Sequence, residues 1–120
     1  MKRDWDLIRE IFAALEARDT THGGLAPDAF PSHGKELVAY HFYLLDQAGL
    51  IDADIKKTGN TGIFGIARNL TWEGHELLDK MRSDTLWKKI TATLKDKGLE
   101  LSFEAIKTAA TVGIEKLLQQ

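Results

Sequence analysis

The chain has no cysteine and only two prolines. Without thiols, disulfides and thiolate chemistry are excluded, and a metal site would have to be made from histidine and carboxylates. No apolar run approaches the roughly 20 residues needed to cross a bilayer. Met1-Lys2-Arg3-Asp4-Trp5 lacks the apolar core of a signal peptide, so a cytoplasmic protein without a membrane partner is expected. Positive charge is not in excess either: 16 Lys and Arg stand against 18 Asp and Glu, a formal net charge of −2. That balance counts against indiscriminate phosphate binding, so the placement of the basic residues decides what they do. A length of 120 residues allows one domain with one modest core. There is no internal repeat and no low-complexity tract.

Both prolines fall in one stretch, residues 19–33, together with Thr20, Thr21, Gly23, Gly24 and Ser32, and Gly34 follows directly. This stretch reads as a loop, with room for a short strand or a turn of helix near 25–30. Helical patterns flank it. Before it, Asp4 is placed to cap a helix to about Ala17, with Leu7, Ile8, Ile11, Phe12 and Leu15 as its apolar stripe. After it, residues 35–48 form a helix with Leu37, Val38, His41, Leu44, Leu45 and Ala48 on one face, ended by Gly49. Leu50 and Ile51 re-enter the core. Residues 52–70 read as a hairpin with strands at 55–58 and 63–70 and the turn Gly59-Asn60-Thr61-Gly62. Thr71 caps a third helix with Leu77, Leu78 and Met81 inward. Ser83 or Asp84 opens a fourth helix over 84–97, and Ser102 a fifth over 102–118.

Helix, hairpin, helix in that order points to an α+β winged helix with a two-stranded wing and extra C-terminal helices. The whole chain is expected to be one such domain, with a core over 1–82 and a helical extension over 83–120. The segment His41-Phe42-Tyr43-Leu44-Leu45 through Ala48-Gly49-Leu50-Ile51 resembles the recognition helix of bacterial winged-helix repressors, among them the arsenic-type repressors and the multiple-antibiotic-resistance regulators. Met1 to Arg9, Tyr40-His41, Leu70-Thr71-Trp72-Glu73-Gly74-His75-Glu76 and Trp87-Lys88-Lys89 are similar to a family of uncharacterised proteins found in phages, prophages and mobile elements. That likeness spans roughly residues 1–107. It implies a winged-helix fold and a mobile-element origin, and carries no activity with it.

In a DNA reader of this kind the 35–48 helix enters the major groove and the hairpin lies on the backbone. The candidate DNA contacts are then Ser32, His33, Lys35, Tyr43, Lys56, Lys57, Asn60 and Arg68. The outward face of the helix is expected to carry Lys35, Glu36, Ala39, Phe42, Tyr43 and Asp46. Its two adjacent aromatics also suit a protein interface, for which Phe42, Tyr43, Trp87, Leu117 and Leu118 are the candidates. The added C-terminal helices either cover the domain's own core or form a homodimer. Four histidines occur, none in a ligand pair at helical spacing. His41, at the centre of the apolar face, is expected to be buried and hydrogen-bonded, and His75 half-buried beside Trp72. Gly59-x-x-Gly62-x-x-Gly65 lacks the lysine of a phosphate loop and fits the hairpin better. No nucleophile elbow or acid pair stands out, so neither catalysis nor a metal or other cofactor is expected. The leading expectation is a small phage-type transcriptional regulator that acts by occupying an operator. The alternative is a winged-helix module that binds a host or phage protein.

Overall fold

The computed structural model describes residues 1–60 and 62–118, with side chains described as far as Thr111. It contains five helices and one two-stranded antiparallel sheet, in an order compatible with a winged-helix-like arrangement. Two compact units divide at His75, within the third helix. Among the described residues no helix is long and apolar enough to cross a membrane.

Helix α1 (Trp5–Ala17) starts where expected, because the Asp4 carboxylate accepts the N–H groups of Asp6 and Leu7. That cap satisfies two of the donors a helix start leaves open. Trp5 joins the predicted stripe in the core. The following loop contains a 3-10 turn, Pro27–Ala29, and one isolated bridge from Leu25 to Ala67. A short supporting strand is therefore reduced to a single residue pair. Two residues after the bridge, Pro27 has no N–H to extend it.

Helix α2 (Lys35–Gln47) buries Val38, Ala39, His41, Phe42 and Leu45. This arc is rotated from the expected one: Ala39 and Phe42 are inside, while Ala48 is exposed and Leu44 only half-buried. The cause is a second packing surface. The Phe30 ring meets Phe42 edge-on at 6.1 Å, and Phe42 sits over Gly65, where an added Cβ would lie 3.6 Å from its own Cβ. His41 is fully buried. Its Nε2 accepts the Asp4 backbone N–H at 2.8 Å, and its Nδ1 lies 2.8 Å from the Leu37 carbonyl. One partner donates and the other accepts, so a single neutral tautomer, protonated at Nδ1, satisfies both.

Gly49 ends α2 in the left-handed region (φ +76°). Strand β1 (Ile51–Thr58) then pairs with β2 (Gly62–Leu70). Both strands are fuller than the expected 55–58 and 63–70, since Ile51 pairs with Leu70 at the base of the hairpin. Asp52 opposes Asn69 but Ala53 opposes Ala67, leaving Arg68 as the extra residue of a bulge. Beyond the bulge, Ile55, Lys57, Ile63 and Gly65 share the face toward α2, whereas Asp54, Lys56, Phe64 and Ile66 share the other.

Helix α3 (Trp72–Met81) begins at Thr71, whose hydroxyl donates to the Gly49 carbonyl at 2.6 Å and accepts the Gly74 N–H at 3.1 Å. Gly74 lies directly on the Leu50 carbonyl, where an added Cβ would come within 2.0 Å. In the second unit, α4 (Asp84–Asp96) is capped by Ser83, α5 (Phe103–Leu118) follows Ser102, and the two helices pack on one another.

Two stability predictions follow from these contacts. His41→Ala leaves the Asp4 N–H without its acceptor and opens a cavity, so a loss of about 1–3 kcal/mol is expected in chemical denaturation. Gly74→Ala should also destabilise, by about 1–3 kcal/mol, although alanine is ordinarily the better helix former, because its methyl overlaps the Leu50 carbonyl. A gain in melting temperature for Gly74→Ala would show that α3 does not approach Leu50 as described.

Candidate nucleic-acid interface

The eight candidate DNA contacts do not form one patch. The fold sorts them into groups with different surroundings. Ser32 is exposed in the turn before α2. His33 is tied back: its Nε2 lies 2.6 Å from Glu10 on α1, and its side chain is only 19% exposed. Lys35 is exposed at the first position of α2, with Glu36 beside it. Tyr43 is half-buried, with Tyr40 at 6.3 Å and the Lys57 ammonium 4.6 Å from its ring centroid. Lys56 and Asn60 are exposed on the hairpin.

Arg68 is engaged at both ends of its residue. Its guanidinium holds Asp54 through Nε at 2.6 Å and through Nη2. Its carbonyl, freed from the ladder at the bulge, accepts from Arg18, which also donates to the His22 carbonyl. Arg18 thus braces the 19–24 loop against the hairpin. The Arg68–Asp54 pair cancels locally, so it adds no net field for a phosphate.

The structure does bring Lys35 and Asn60 together. Both border an open cleft of about 490 Å³ between the start of α2, the Pro27–Ala29 turn and the hairpin tip. Ile63, the cross-strand neighbour of Lys57, borders it too, as does Phe64, the neighbour of Lys56. Lys56 and Lys57 themselves are on β1, one on each face of the hairpin, and Lys35 is the lysine that lines the cleft among the described residues. Asp28 and Glu36 line the same cleft and offset the charge of Lys35.

Of the protein-interface candidates, Phe42 is corrected: it is fully buried between Phe30 and the Gly65 slot and offers nothing to a partner. Trp87 is corrected as well. It is 5% exposed and belongs to the buried stripe of α4 with Ile90 and Leu94, at helical spacing. Leu117 and Leu118 lie outside the residues whose side chains are described. Tyr43 retains an accessible edge. His75 is exposed rather than half-buried, because the neighbouring Trp72 is itself 78% exposed and covers nothing. Ala39 and Asp46, expected outward, also turn in: Ala39 is buried, and Asp46 accepts the Ala53 N–H at 3.0 Å.

Sequence reasoning missed Phe64. It is 52% exposed, whereas Phe12, Phe30 and Phe42 are buried. The signal was Gly62, two places back on the same strand face, with Gly65 next in sequence, which marks a segment with few neighbouring side chains to cover a ring.

The family described as “Hypothetical protein (DUF2513)” matches residues 2–100. An “Uncharacterized protein” of Haemophilus influenzae is 49% identical over 119 residues, covering 98% of this chain and 99% of that protein. No solved structure matches.

The Arg68–Asp54 pair is largely solvent-exposed, at 43% and 63% for the two side chains. Asp54→Asn is therefore expected to cost no more than about 1 kcal/mol. Denaturation at low salt checks this, and a markedly larger loss would mean that the bulge depends on the ion pair.

Proposed function

The chain belongs to the DUF2513 family of hypothetical proteins, and we propose that it is a small DNA-binding transcriptional regulator of phage or prophage type. It acts by covering an operator or promoter, with no catalytic step and no cofactor. Helix α2 lies in the major groove and the hairpin serves as the wing in the neighbouring minor groove. A protein that straddles two adjacent grooves must pass one sugar–phosphate strand between its two elements. The cleft between α2 and the wing is the place for that strand, and its joint border by Lys35 and Asn60 is the observation that carries this reading. Lys56 and Lys57, exposed on the two faces of the wing, supply the flanking phosphate contacts. Arg68 is left out, because Asp54 already holds it. The likeness of element order to winged-helix repressors supports the reading by analogy only.

Phosphate contacts from Lys35, Lys56 and Lys57 alone predict a shallow salt dependence. The logarithm of affinity should fall with the logarithm of salt with a slope of roughly −3 per protomer. The double variant Lys56→Glu, Lys57→Glu is expected to abolish binding to duplex DNA in fluorescence anisotropy while its circular dichroism stays that of the parent. Undiminished affinity in the double variant would remove the wing from the mechanism.

A second reading has its own support: a module that binds a host or phage protein. Asp28 and Glu36 in the cleft, the neutralised Arg68 and the half-buried Tyr40–Tyr43 pair favour it. A parent protein that fails to bind duplex DNA even at low salt makes this second reading the leading one.

A further inference from the structure

Phe64 is the aromatic side chain of the hairpin, and the packed structure does not account for its position. Its ring is on the solvent side of β2 and 52% exposed. Directly across the sheet stands Lys56, also exposed, on the same face. Gly62, two places back on the same face of β2, has no side chain to cover the ring on that side, and Ile66 is its one large same-face neighbour on the strand. Phe64 also borders the cleft assigned above to the sugar–phosphate strand. The wing therefore presents a cation and an apolar wedge side by side.

Resting on the DNA-binding reading, we propose that Phe64 is an insertion wedge. It enters between two base pairs from the minor-groove side while Lys56 holds the adjacent phosphate. An apolar side chain pushed between base steps unstacks them and bends the duplex away from the wing, towards the major groove. The charge pattern selects this occupant. The ring's cross-strand partner is Lys56, on the same face, while Asp54 on that face is already paired with Arg68, so a polyanion is drawn to the side where the ring projects. The step most easily opened is a flexible pyrimidine–purine step, so the wedge also contributes preference for such a step without any hydrogen bond to a base.

The test compares the parent, Phe64→Ala and Phe64→Leu on one duplex labelled at both ends for energy transfer, with affinity followed against salt. The ring is half in water in the free protein, so neither variant should lose its fold. Phe64→Ala is expected to bind about tenfold more weakly, the size of effect typical of an aromatic anchor. Its salt slope should equal that of the parent, since a phenyl ring displaces no counterions. Its complex should also lose the bend, and Phe64→Leu, which keeps an apolar wedge, should restore most of the bend and affinity. A parent that binds while Phe64→Ala binds as tightly, or bends the duplex as much, overturns the wedge and leaves the DNA-binding reading standing. A change of salt slope in Phe64→Ala would likewise overturn it, by showing an electrostatic effect. A parent that does not bind duplex DNA at low salt overturns both.

Discussion

His41 stands between the first helix and the second, and its two ring nitrogens do different work. Nε2 accepts the backbone N–H of Asp4, the residue that caps α1, while Nδ1 donates to the Leu37 carbonyl one turn back along α2. It is a polar side chain inside the core of the 1–75 unit, and an unpaired imidazole there would be costly. Because both nitrogens are satisfied, the rotation of α2 against α1 is specified rather than left to non-directional apolar contact. That rotation decides which residues of α2 are left to solvent. It places Lys35 and Glu36 outward, keeps the Tyr40–Tyr43 edge accessible, and turns Phe42 inward onto Phe30.

Two further junctions carry that orientation into the hairpin. At its base, the end of α2 and the start of α3 share one set of backbone contacts through Gly49, Leu50, Thr71 and Gly74. Thr71 uses one hydroxyl twice, as donor to one segment and as cap for the other, and Gly74 permits an approach that no side chain would allow. Beside the hairpin, Arg18 grips the bulge carbonyl of Arg68 and the loop carbonyl of His22. The Thr71–Gly49, Gly74–Leu50 and Arg18–Arg68 contacts join residues far apart in the chain. Together they hold the hairpin at a set angle to α2, the rigidity that the proposed two-element grip on a groove would require.

The electrostatics of the site illustrate why net charge is a poor guide at this scale. The chain is slightly acidic, yet exposed lysines occur where α2 and the hairpin approach one another. Arg68, the strongest candidate by residue type, is the one withdrawn from service, because a carboxylate two places beyond the bulge on the facing strand reaches it. Fixed short-range pairing of this kind outweighs the diffuse field, which salt screens within about 8–10 Å.

Much of the architecture was written locally. Asp4, Gly49, Thr71, Ser83 and Ser102 each act at a helix boundary through their own backbone conformation or nearest turn, so they could be read from the residue and its neighbours alone. The turn at Gly59-Asn60 and the apolar stripe of α1 were legible for the same reason. So was the burial of His41, since a polar residue centred on an apolar face has nowhere else to go. Other features needed distant parts of the chain to meet. The arc that α2 buries was misjudged because a wheel allows for one packing surface, whereas Phe30 and Gly65 supply another. The fate of Arg68 depended on a bulge that no pattern of alternation reveals. The exposure of Phe64 depended on what failed to cover it. Sequence by itself determined the helices, their ends to within a residue, and the order of the elements, because those follow from short-range backbone chemistry. Only the tertiary structure decided that Arg68 is paired with Asp54 and which aromatic rings face water, because those depend on partners brought close solely by folding.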